Sequence, residues 1–255
     1  MTTNVLILGG TAEANEIVAR LSKDSRFSIT LSLAGRTISP RLPPVKTRIG
    51  GFGGVPGLAE YLRANSITVL IGATHPFAER IGANACVAAS MTGVPLLTLA
   101  RRAWQPVNGD RWTEVADLDA AAAALPQTPA RVFLTVGRQS LAAFAARPQH
   151  HYLIRVIDPP ELPPAITHTE VVIGRGPFAV ADEIELLRVH RIDWLVCKNS
   201  GGVAAEAKLT AARALKLPVV LVRQPAIARS NALLTVDAVL DNLLALHDTL
   251  TKRSV

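Results

Sequence analysis

The chain alternates short, unbroken apolar runs with amphipathic stretches, and turns rich in glycine and proline separate them. Residues 5–8, 28–33, 68–71 and 95–99 read as strands, and 12–21, 57–64 and 77–91 read as helices. The strand runs are continuous rather than alternately apolar and polar, so both their faces must be covered. A parallel sheet with helices on either side does this. The expected class is therefore α/β, assembled from βαβ units.

The pattern then repeats. "EYLRANSITVLI" (60–71) aligns without a gap with "ELLRVHRIDWLV" (185–196), and each leads through a polar strand end and a helix to a further strand, "GVPLLTLARR" or "KLPVVLVRQP". Upstream, "VLILGGT" (5–11) matches "VFLTVGR" (132–138) and "IGGFG" (49–53) matches "IGRGP" (173–177). Matches in one order at nearly constant spacing predict two similar Rossmann-like domains with parallel sheets and a ligand cleft between them. Two prolines in "LPQTPA" break the periodicity, which puts the expected boundary at 126/127, giving domains 1–126 and 127–255.

Composition narrows the function. A net charge of +7 raises nucleic acid as a partner, but aromatics at 4% leave little for base stacking, and the basic residues are scattered arginines. No nucleic-acid partner is expected; the charge belongs either to a solvated surface or to a field that attracts a small polyanion. No basic leader precedes the apolar run at 5–8, which is too short for a signal peptide or a membrane span, so a cytoplasmic protein without a membrane partner is expected. Cys86 and Cys197 lie in apolar runs with no CxxC or Cys/His spacing, and read as core residues rather than a disulfide or a metal site. GxSxG, HExxH and Walker A patterns do not occur, so hydrolytic, metal-dependent and kinase-like chemistry lose ground.

In open parallel sheets ligands bind beyond the carboxyl ends of the strands, and the residues just after each apolar run are the informative ones. In "LGGTAEA", Gly9 and Gly10 let backbone N–H groups and a helix N-terminus approach a phosphate, and Thr11 adds a hydroxyl; a tight βα turn with a capped helix gives the same pattern. Arg36, after the second strand, stands where a 2′-phosphate of NADP would sit, or is a solvated loop arginine. Gly51 and Gly53 in "GGFGGVPG" allow a cofactor to lie against the backbone. In the second half, Lys198, Asn199 and Ser200 end a strand ahead of two glycines, a set suited to a carboxylate or phosphate. Thr74 and His75 in "IGATHPFAER" occupy the equivalent strand end of the first half.

These segments resemble the precorrin-6A reductase family of cobalamin biosynthesis, in "ILGGTAEA", "GATHPFA", "RRAW" and "KNSGG", over nearly the whole chain. One departure is Gly72, where the family commonly carries an acidic residue. The resemblance implies an NADPH-dependent oxidoreductase that reduces one carbon–carbon double bond of precorrin-6A to give precorrin-6B, with two Rossmann-like domains and neither metal nor flavin. The cofactor NADPH/NADP+ would then meet Gly9, Gly10, Thr11, Arg36, Gly51, Gly53, Asn199 and Ser200. The polycarboxylate tetrapyrrole would meet Thr74, Arg101, Arg102, Trp104, Arg138 and Gly201. His75 and Lys198 are the candidates nearest the reacting carbons, either as proton donors or as binding groups, with water as the alternative donor. A monomer is expected rather than an oligomer. Still open are the same reduction on a cobalt-containing substrate, a two-domain nucleotide-sugar transferase, and a ligand-binding protein without turnover.

Overall fold

The computed structural model describes residues 2–38, 40, 42–225 and 232–252. They form two compact units, residues 1–101 with 225–255, and residues 102–224. The first unit contains β1 (Thr3–Leu8), α1 (Ala12–Leu21), β2 (Phe27–Leu33), β3 (Lys46–Ile49), α2 (Gly54–Ala64), β4 (Val69–Gly72), α3 (Glu79–Thr92) and β5 (Leu96–Thr98). Its strands pair in parallel in the order β3-β2-β1-β4-β5. The continuous apolar run of β1 now has its physical reason. Val5 and Ile7 join a core with Ile17 and Val18 of α1, whereas Leu6 and Leu8 point the other way, to Leu58 and Leu62 of α2 and Ala85 and Ala88 of α3.

In the second unit β6 (Trp112–Val115), α4 (Leu118–Ala123), β7 (Arg131–Thr135) and a 3₁₀ segment (Arg138–Ala146) come first. They are followed by β8 (His151–Val156), β9 (Thr169–Ile173), α5 (Val180–Val189), β10 (Trp194–Lys198), α6 (Ala207–Ala214) and β11 (Val219–Val222). The parallel order is β6-β11-β10-β7-β8-β9. Read from β7, it repeats the first sheet's order and adds β6 at one edge. The repeat reaches into the turns. α2 and α5 end on left-handed residues, Ser66 (φ 48) and Arg191 (φ 49). Each is followed by the same closing bond, Ile67 N–H to Leu62 O and Ile192 N–H to Leu187 O, both 2.9 Å.

The expected boundary at 126/127 is corrected. It separates the two sequence repeats, but each repeat gives its last elements to the other's unit. β6 follows β5 in the chain yet pairs with β11, and α4 packs on β11. After β11 the chain returns to the first unit, where Leu233 bridges Leu99 in parallel, and α7 (Val236–Lys252) adds Val239, Leu240 and Leu243 to the core around Val5 and Ile17. A hydrogen bond of 2.7 Å between Thr3 Oγ1 and His247 Nδ1 fixes this helix further.

The two cysteines differ. Cys197 is buried in β10, where burial pushes its thiol up to about 11, whereas Cys86 is exposed on α3, contrary to the expectation of a core position. α3 is apolar or small nearly all round, so its pattern does not mark the outward face.

Ahead of β8, His150 is fully buried, and neither ring nitrogen has a hydrogen-bond partner among the described residues. Burial, and after it the charge of Arg147, holds its pKa below the ordinary 6.5. The folded state therefore binds fewer protons here than the unfolded state. The contribution is intact above pH 6.5 and is lost as pH falls from there toward the lower folded value. Urea midpoints at pH 7.5 and 5.5 are expected to fall further in the wild type than in His150→Phe.

Candidate functional site

In the first sheet β1 and β4 are neighbours from which the chain winds in opposite directions, and it is beyond the carboxyl ends of such a switch point that open parallel sheets bind their ligands. Gly9, Gly10 and Thr11 follow β1; Ala73, Thr74 and His75 follow β4. At Gly9 a Cβ would lie 2.6 Å from Leu31 Cδ1, so a side chain there would need the buried Leu31 to shift; Gly10 has a φ of +105° and nothing within 4 Å of where a Cβ would stand. Thr11 caps α1, accepting the Ala14 N–H at 3.1 Å, while its own hydroxyl donates to Ala73 O at 2.7 Å. Its hydroxyl proton is committed to joining the two turns, so what Thr11 offers a ligand is the backbone it holds in place.

His75 is exposed, and its Nδ1 accepts the Phe77 N–H at 3.2 Å. That bond needs the Nδ1 lone pair, which puts the proton of the neutral ring on Nε2. The His75 carbonyl accepts the Ala78 N–H at 2.8 Å, so this histidine also closes the turn ahead of α3. Arg36 is exposed in the loop after β2, and Gly51 and Gly53 follow β3 with nothing within 4 Å of a Cβ at either. Arg101 differs from the expectation of a substrate contact. Its guanidinium grips Glu13 of α1 in a two-pronged pair, Nε to Oε1 at 2.7 Å and Nη2 to Oε2. Burial works to raise the Glu13 pKa, and the bonds to Arg101 overcome it and hold the carboxyl below its usual value.

The second unit has the same switch point between β7 and β10. Lys198 ends β10, and its ammonium donates to the buried Ser140 Oγ at 2.7 Å, just past Gly137 and Arg138. Asn199, predicted to meet the cofactor, is 1% exposed and clasps Trp104: Oδ1 accepts its N–H at 2.8 Å and Nδ2 donates to its carbonyl at 3.1 Å. Trp104 is itself in the core of this unit rather than on a surface. Both residues are framework, and they tie the incoming segment to the end of β10. Asn199→Ala strands two buried backbone groups and is expected to cost about 2–3 kcal/mol, seen as a lower denaturant midpoint at unchanged slope. Ser200 and Gly201 are buried in the same turn, and Arg102 is exposed.

A family model described as Precorrin-6x reductase CbiJ/CobK matches residues 4–244. The chain belongs to this precorrin-6x reductase family. It is 50% identical over 238 residues to a "Precorrin-6A reductase" of Rhodobacter capsulatus, covering 93% of this chain and 94% of the relative. It is 49% identical over 253 residues to one of Rhodococcus erythropolis, covering 98% and 100%. A solved structure titled "CobK precorrin-6A reductase" superposes with a TM-score of 0.91 at 49% identity, over 96% of this chain and 97% of that one. The two parallel-sheet α/β units are thus the family's fold, and the chain is an oxidoreductase.

Within that family frame, the predicted residues other than the exposed Arg102 fall into three groups. Gly9, Gly10, Thr74 and His75 gather at the switch point of the first sheet, with Arg36, Gly51 and Gly53 on the neighbouring strand ends; Arg138, Lys198, Ser200 and Gly201 gather at that of the second. Thr11, Arg101, Trp104 and Asn199 are held by partners within their own unit. Sequence reasoning missed Ser140, Arg48, and the exposed Arg175 and Arg223, of which Arg223 directly follows β11 and Arg175 stands one glycine beyond β9. The strand-end rule applied to "VVIGR" and "VVLVR" finds the last two. Among the described residues no three His, Cys, Asp or Glu side chains gather as for a metal ion, and no helix is long and apolar enough to cross a membrane.

Proposed function

We propose that this protein uses NADPH to reduce one carbon–carbon double bond of the macrocycle of precorrin-6A, giving precorrin-6B in cobalamin biosynthesis. The observation that carries the proposal is the switch point of the first sheet, where a glycine turn opens beside β4 in a chain of a reductase family. The space above Gly10, Gly51 and Gly53 fits a dinucleotide laid against the backbone, and Arg36 at the end of β2 supplies the cation a 2′-phosphate needs. When bound, NADPH supplies a hydride, that is two electrons and one proton's worth of hydrogen, to one carbon of the double bond.

The residues of the chain bind, orient and deliver the remaining proton. Lys198 ends β10, Arg138 follows β7, Arg223 follows β11 and Arg175 follows β9, so cations stand at four strand ends of one sheet. Neighbouring strands are about 4.8 Å apart, a spacing that suits several carboxylates around one ring. The proton for the second carbon comes from Lys198, from His75 through Nε2, or from water. Thr74, Arg102, Ser200 and Gly201 complete the surroundings of substrate and cofactor, and the enzyme works in the cytoplasm as a monomer. Titration with NADPH and with NADH tests the cofactor directly. NADPH is expected to bind at least about tenfold more tightly, and the preference is expected to collapse in Arg36→Ala. Equal affinities would remove Arg36 from the site.

A further inference from the structure

The loop after β3, "GGFGG", would be costly to order, because Gly50, Gly53 and Gly54 all have positive φ, at 117°, 79° and 90°. One side chain holds it. Arg48, in β3, donates from Nη1 to Gly50 O at 2.8 Å and to Ser32 Oγ at 3.2 Å, and from Nη2 to Gly51 O at 3.0 Å. Its guanidinium lies 3.8 Å from the centroid of the Phe52 ring and 5.3 Å from that of Tyr61. In the second unit only the stacking recurs: Arg155, from β8, lies 3.8 Å over Phe178 in the loop after β9, and it pairs with Glu183 rather than with loop carbonyls.

Resting on the NADPH reading above, we infer that Arg48 is a positioning residue for the cofactor, and that the N–H groups of Gly51 and Phe52 form its donor pair for a phosphate of NADPH. A trans peptide points its C=O and N–H in opposite directions. With the carbonyls of Gly50 and Gly51 drawn to the guanidinium, the N–H groups that share those peptide units, on Gly51 and Phe52, are turned away from it. Two successive N–H groups aimed to one side suit an anion. The fork of the guanidinium reaches both carbonyls at once, which an ammonium cannot do. Stacking on Phe52 fixes the fork in plane.

The test is calorimetric titration of NADPH into wild type, Arg48→Met, Arg48→Lys and Gly51→Ala, with thermal midpoints and steady-state constants for each. Gly51→Ala adds a methyl where nothing lies within 4 Å, so it blocks a phosphate without disturbing the fold. Arg48→Met and Gly51→Ala are each expected to weaken NADPH about tenfold, and Arg48→Lys by several-fold less. In all three, KM for NADPH rises while kcat at saturating NADPH and KM for precorrin-6A hold. A wild type that does not bind NADPH overturns the proposed function itself. If Gly51→Ala binds like wild type, the donor pair is wrong although the NADPH reading survives. If Gly51→Ala is weakened and Arg48→Met is not, Arg48 has no positioning role. Should Arg48→Met fail to fold, Arg48→Lys carries the test, and wild-type affinity in it overturns the role of the fork.

Discussion

Gly57→Ala is expected to lose about 3 kcal/mol or more of stability, and NADPH binding with it. Gly57 stands in the first turn of α2, and a Cβ built on it would lie 1.7 Å from Phe52 O and 2.9 Å from Phe52 C. A side chain in the way could turn aside, but a backbone carbonyl cannot. Either α2 must move off the sheet, exposing Leu58 and Leu62, or the loop carrying Phe52 must move, undoing the contacts of Arg48. Both routes reach the loop proposed to hold the cofactor. Gly82→Ala in α3 is the matched control. Nothing lies within 4 Å of a Cβ there, so it is expected to be neutral or to stabilise by about 0.5–1 kcal/mol. Denaturant midpoints and NADPH titrations of both variants check the pair, and a Gly57→Ala protein as stable as Gly82→Ala would refute the close approach.

The second large effect belongs to Lys198. Lys198→Met is expected to lower kcat/KM for precorrin-6A about 10- to 100-fold while leaving NADPH affinity within a factor of two or so. The ammonium is aimed by the buried Ser140 hydroxyl, in a row of strand ends that includes Arg138 and Arg223. Removing a charge that a substrate carboxylate engages costs on the order of 1.5–3 kcal/mol, which sets the range. Ser140→Ala keeps the charge and loses only its aim, so a smaller loss is expected. Unchanged kcat/KM in Lys198→Met would take the residue out of the site. Lost NADPH affinity would instead assign the strand ends of the second unit to the cofactor.

The architecture was legible because its signal is local. Continuous apolar runs such as 5–8 announce strands covered on both faces, and the twin segments 60–71 and 185–196 announce two similar units whose turns match in detail. The exchange of β6, α4 and α7 between units was not legible, because a strand's partner is decided by pairing rather than by its own pattern. The same limit applies to the site. The strand-end rule brought His75 and Lys198 to the two switch points, but it could not see that Thr11 is bonded to a carbonyl 62 residues away, Arg101 to a carboxylate 88 residues away, and Asn199 to a backbone 95 residues away. Polar residues after strands serve ligands or neighbouring turns equally well. Only contacts distant in sequence separate the two uses.

The most direct measurement mixes purified protein, precorrin-6A and NADPH, and follows NADPH absorbance together with the mass of the tetrapyrrole. Consumption of one NADPH per precorrin-6A, with a product heavier by two hydrogens and no added metal or flavin, is the predicted result. Tetrapyrrole-independent oxidation, or a substrate mass that does not change while NADPH is bound, would contradict it.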